Sequence, residues 1–215
     1  MHWRRPRCLS LGLVLASCLS AAQSGLRITV FVYNYATAPS HVLAQAEAAA
    51  ARIYQHSGIE IAWLDCPLSP EQAAQYPACQ IAPSPTRLAV RILSRTMAER
   101  YHQAEDTFGF AQYPGNGSFG MVANVFSNEA EELATHQNLA HGVLLGHLMA
   151  HELGHLLLGV GSRSASGIMH VPWYRKELEI ISQGLMLFEP WEAARMRTQI
   201  RARMASELAA HPSVH

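Results

Sequence analysis

The order of hydrophobic patterns along these 215 residues predicts an α+β fold, with a twisted mixed sheet built early in the chain and helices packed late. Three observations carry that expectation. Residues 26–35 read LRITVFVYNY, an alternating and β-branched stretch of the kind that fits a half-buried strand. Residues 40–56 are rich in alanine, which loses no side-chain entropy when it becomes helical. Leu139, Val143, Leu144, Leu148, Leu153 and Leu156 recur with helical spacing, which predicts a buried helix ending near Gly159, a residue type that favours the C-cap.

The remaining elements follow in chain order. Ser40 stands where an N-cap would open the alanine-rich helix. Residues 59–64 and 88–93 read as further strands, and residues 95–103 as a short helix. The turn-forming Pro114-Gly115-Asn116-Gly117 separates two β-rich stretches, 108–113 and 119–126. The apolar helix comes next, followed by a polar loop through Ser166, the segment Gly167-Ile168-Met169, an unassigned stretch at 177–188 and a last helix over 190–208.

Composition bounds the rest. With 49% hydrophobic residues and no linker or repeat, the chain can bury one full core, so residues 23–215 are expected to form one domain. Formal charge sums to zero and the basic residues beyond the N-terminus are scattered, which argues against a nucleic-acid partner. Arg4, Arg5 and Arg7 precede an apolar run too short to span a bilayer, and Ser20-Ala21-Ala22 offers a cleavage site, so residues 1–22 read as a signal peptide. The expected location is periplasmic or extracellular. A competing reading takes Leu15-Ala16-Ser17-Cys18 as a lipobox, with Cys18 lipidated and the protein held at a membrane. Cys66 and Cys79 then remain as an even pair bracketing a polar segment. A disulfide there would contribute about 3 kcal/mol by loop entropy, and the alternative is two free thiols in a reducing compartment.

The most specific chemical signal is His-Glu-Leu-Gly-His at residues 151–155, inside the apolar helix. Two histidines four apart share a helix face, so His151 and His155 can aim ring nitrogens at one Zn²⁺. Glu152 lies on the adjoining flank, where it can take a proton from a zinc-bound water and return it to a leaving group. Three such groups left unpaired in an apolar helix would cost several kcal/mol, which weighs against a purely structural role. His147 also shares the face, but ligands at i, i+4 and i+8 span about 12 Å along a helix axis, too far for one tetrahedral ion. It is expected to support the site or the core, and His141 to face solvent or make a local hydrogen bond.

The element order and the run AHELGHLLLG followed by SGIM resemble the zincin fold of metzincin-type peptidases, and more narrowly exported bacterial proteins with a zincin domain. The resemblance implies a zincin-like sheet with an active-site helix, a Met-turn at Met169 beneath the metal, and zinc-dependent hydrolysis of a peptide or protein substrate by a monomer. It also implies that substrate adds as a strand to a sheet edge, for which residues 117–126 are the expected edge. This chain departs from the pattern at the third ligand. Leu158 and Gly161 occupy the positions of the family's glycine and third histidine, and Arg163, which cannot ligate zinc, stands where related proteins carry a loop histidine. His170, Glu177 and Glu179 are the candidates to replace it, an aspartate or water is the remaining option, and the sequence does not choose among them. The alternative function is that of a degenerate zincin that binds a peptide or partner without catalysis.

Overall fold

The computed structural model describes residues 25–101 and 107–210. The expected signal peptide, with Cys18, lies outside the described residues. Strand β1 (Leu26–Asn34) leads through helix α1 (Ser40–His56) to β2 (Ile59–Asp65). A short helix α2 (Pro70–Ala73) precedes β3 (Arg87–Leu93), and α3 (Arg95–Ala98) continues into a 3₁₀ turn at Glu99–Tyr101. Strands β4 (Gly109–Gln112) and β5 (Val122–Phe126) come next, then helices α4 (Ser127–His136), α5 (His141–Leu158), α6 (Arg175–Ser182) and α7 (Pro190–Ala210).

The five strands form one mixed sheet in the order β2-β1-β3-β5-β4. The pairs β1–β2, β1–β3 and β3–β5 are parallel, and β4 alone runs antiparallel, on β5. This is the expected α+β arrangement of an early sheet and late helices. Alternation in β1 sorts its side chains: Ile28, Val30 and Val32 face the main core with α1 and α5, whereas Phe31 packs with Ala89 and Cys66 on the other face. Cys66 is disulfide-bonded to Cys79 across a segment that holds α2 and a second 3₁₀ turn, Pro77–Gln80. Helix α5 is the spine of the core. Its residues Leu144, Leu145, Met149, Leu153 and Leu157 are buried nearly completely, and the Tyr54 hydroxyl of α1 donates to the Ala150 carbonyl at 3.0 Å.

Three expectations need correction. The sheet edge near α5 is β4, not residues 117–126, because β5 is paired on both sides. A separate helix α4 intervenes before α5; its SNEAEELATH sequence buries only small side chains such as Ala130 and Ala134, so no strong apolar stripe announces it. Ser40 is the first residue of α1 and Pro39 the capping position, with no side-chain cap bond. The described part of the short helix expected at 95–103 is one α-turn followed by one 3₁₀ turn, and residues 102 and 103 lie outside the described residues.

Candidate metal centre

His151, Glu152 and His155 sit on consecutive turns in the second half of α5, where the helix passes under β4 and β5. The two ring Nε2 atoms face each other at 3.0 Å. His151 Nδ1 lies 2.7 Å from the Ile168 carbonyl, so Nδ1 must carry the proton and donate it, leaving a bare lone pair on Nε2. His155 Nδ1 lies 3.0 Å from Ser162 Oγ. Such outer hydrogen bonds hold metal-binding imidazoles in the required tautomer and orientation. Burial, then proximity to Arg163, lowers the pKa of His151; burial, His151 and Arg163 together lower that of His155 to about 3. Both rings are therefore neutral at pH 7 and available as ligands.

Glu152 is only 5% exposed, and its Oε2 has no hydrogen-bond partner. Burial raises its carboxyl to about 8. The absence of a side chain at Gly109 makes the room: a Cβ there would stand 2.9 Å from Glu152 Cγ and 3.0 Å from its Oε1. Glu152 thus lies against the first residue of the edge strand. At the other end of that strand the Tyr113 hydroxyl donates to the His155 carbonyl, tying the strand to the helix. Burial, then the nearby Glu152, pushes that phenol up to about 12, so it stays a donor.

The turn after the helix supplies the floor. Ile168 and Met169 are fully buried, and Trp173 meets His151 edge-on with ring centroids 5.8 Å apart. A Cβ at Gly154 would come within 2.8 Å of both Met169 Sδ and Phe188 Cε1. Gly154→Ala is therefore expected to lower stability by about 1–3 kcal/mol, because Met169 or Phe188 must give way. Thermal unfolding of the variant checks this; an unchanged Tm would mean that the two side chains can move aside freely.

Each candidate for a third ligand is engaged in another contact. Glu177 Oε2 accepts from the Tyr174 backbone N–H at the start of α6, Glu179 pairs with Arg175 on the exposed face of that helix, and His170 Nδ1 lies 3.2 Å from the Ser164 carbonyl. Among the described residues no three His, Cys, Asp or Glu side chains come together as a metal-binding group. His147 is fully buried with Nδ1 bonded to the Val143 carbonyl, a core position as expected. His141 is half-buried, and burial lowers its pKa. Sequence reasoning missed Ser162, Tyr113 and Gly109, whose roles depend on contacts across the fold.

No family model and no curated protein matches the chain. Among solved structures it is similar to a zinc-dependent peptidase from Methanocorpusculum labreanum, with 16% identity over 80% of this chain and 99% of that one and a TM-score of 0.47. It is also similar to archaemetzincin from Methanopyrus kandleri, with 14% identity over 84% of this chain and 99% of that one and a TM-score of 0.47.

Proposed function

We propose that this chain is a zinc-dependent peptidase that acts outside the cytoplasm, with His151 and His155 as metal ligands and Glu152 as general base. The observation that carries the reading is the convergence of two neutral imidazole Nε2 atoms at 3.0 Å beside a buried carboxyl whose Oε2 has no partner. A structural triad would satisfy that oxygen, and with the proton on Nδ1 of both rings the two Nε2 lone pairs would face each other and favour a cation between them. The residues present therefore fit a zinc ion as two of the three protein ligands usual in catalytic sites. When bound, zinc would supply Lewis acidity toward the scissile carbonyl and toward water.

The other steps belong to the chain. An extended peptide adds through main-chain hydrogen bonds to the edge that β4 presents among the described residues, beside Gly109, which lies against Glu152. Glu152 accepts a proton at Oε2 from the attacking water and delivers it to the departing amine. The disulfide and the expected signal peptide support export.

Metal analysis tests the assignment. The full chain is expected to retain close to one zinc, to lose it in His155→Ala, and to hydrolyse an unfolded protein such as casein only when loaded. A parent chain that neither holds zinc nor cleaves would favour the second reading, a peptide-binding protein on the same framework. The lack of a third protein ligand among the described residues is what favours that alternative.

A further inference from the structure

We propose that a cavity at the end of α5 is a pocket for acidic residues, which takes the carboxylate of a glutamate or aspartate on a peptide bound along β4. The proposal rests on the reading of β4 as the edge that receives a peptide, and it adds which substrates that edge prefers. The cavity has a volume of about 280 Å³. It lies between the turn after β4, the last turn of α5 and the face of α7 that carries Arg195, Gln199 and Arg203. Tyr113 joins it to the candidate metal centre, because this residue lines the cavity while its hydroxyl donates to the His155 carbonyl. From Gly109, which lies against Glu152, to Tyr113 the chain advances roughly 13 Å in extended form. A peptide side chain that distance from the bond facing Glu152 therefore reaches the cavity.

The lining is suited to an anion. Among the described residues no aspartate or glutamate lines the cavity, whereas two arginines do. Arg195 is exposed and pairs with no carboxylate among the described residues. Its Nη2 stands beside Gly159, 4.0 Å from where a Cβ would lie. Arg203 is 1% exposed, and although both its Nη atoms donate to carbonyls, its buried Nε–H has no acceptor. A buried cation with an unmet N–H beside an unpaired cation leaves a positive potential that a carboxylate relieves, through parallel hydrogen bonds to a guanidinium. The last carbonyls of α5 oppose an anion, but that of Leu156 is already taken by Arg203. The rest of the wall decides which anion. Leu156, Leu157 and Phe119 offer apolar surface, which suits the methylene stem of an acidic side chain and not the hydration shell of free phosphate.

The test is fluorescence anisotropy of two labelled octapeptides on the full chain, one alternating alanine with glutamate and the other alanine with glutamine. A chelator is present, so the result does not depend on zinc at the histidine pair. The glutamate peptide is expected to bind on the order of tenfold more tightly, because hydrogen bonds between charged partners exceed neutral ones by about that factor. Arg195→Gln should remove most of the preference, whereas Arg201→Gln, at an exposed arginine of the same helix, should keep it. Equal binding of the two peptides, a preference that survives Arg195→Gln, or one lost equally in Arg201→Gln overturns the acidic pocket while leaving peptide binding at β4 intact. Inorganic phosphate at constant ionic strength is the competing source of the anion. If it displaces the glutamate peptide at lower concentration than N-acetyl-glutamate amide does, the cavity belongs to free phosphate and the peptide carboxylate is overturned. A chain that binds neither peptide overturns both the pocket and the β4 edge.

Discussion

Glu152→Gln is expected to reduce peptide hydrolysis by about 10²–10⁴-fold while the zinc content of the chain stays near that of the parent. Glutamine keeps the volume beside Gly109 but cannot carry a proton between water and amine, so the loss falls on the rate and not on metal retention. The same substitution has a second, independent signature in the metal-free protein. Burial holds Glu152 up to about 8, against an ordinary value of 4.5. Between those two values the folded chain binds a proton that the unfolded chain has released, so stability falls as pH rises through the window and the deficit is complete above about pH 8. Glutamine has no such term. The variant should therefore match the parent near pH 4 and exceed it by about 3–5 kcal/mol at pH 9. Urea unfolding with a chelator at both pH values measures this. A stability difference that does not change with pH would mean that the Glu152 carboxylate ionises in the fold without penalty, and the proton-shuttle role would lose its physical basis.

The parts of this molecule that could be read from sequence are those whose signal is local. Alternation marked β1 because one face meets the main core while Phe31 turns to the disulfide side. Helix α5 and its two histidines were legible because four-residue spacing alone puts both on one face. The identity of the edge strand was not, since only long-range pairing of β5 with β3 makes it interior. The supporting groups were hidden for the same reason. Ile168 contributes a backbone carbonyl to His151, Gly109 contributes absent volume to Glu152, and neither leaves a mark in residue type. Helix α4 escaped because its buried positions are mostly alanine, which carries little hydrophobic contrast.

Arg203 is the position where sequence pattern misleads most, and it carries the largest expected effect on stability. In a helix reading RTQIRARMASE an arginine suggests a solvated face, yet Arg203 is 1% exposed. Its Nη1 donates to the Pro85 carbonyl at 3.0 Å and the Gly120 carbonyl at 3.1 Å, its Nη2 donates to the Leu156 carbonyl, and its guanidinium lies 4.6 Å from the Phe119 ring centroid. One planar group thus joins the approach to β3, the approach to β5 and the last turn of α5, one residue beyond His155. Burial lowers its pKa to about 10, so it remains charged at pH 7. Arg203→Ala strands three carbonyls, each costing about 1–3 kcal/mol when unmet, and a destabilisation of about 3–6 kcal/mol is expected. Arg203→Lys should recover little, because a single ammonium cannot reproduce the fork that spans three acceptors. The exposed Arg201 on the same helix is the control, where alanine should change stability by no more than about 0.5 kcal/mol. Denaturant unfolding of the three variants decides the matter: a cost below about 1 kcal/mol for Arg203→Ala would mean that water satisfies these carbonyls as well as the guanidinium does. A full loss that also lowers zinc occupancy would show that the end of α5, and with it His155, is held in place from α7.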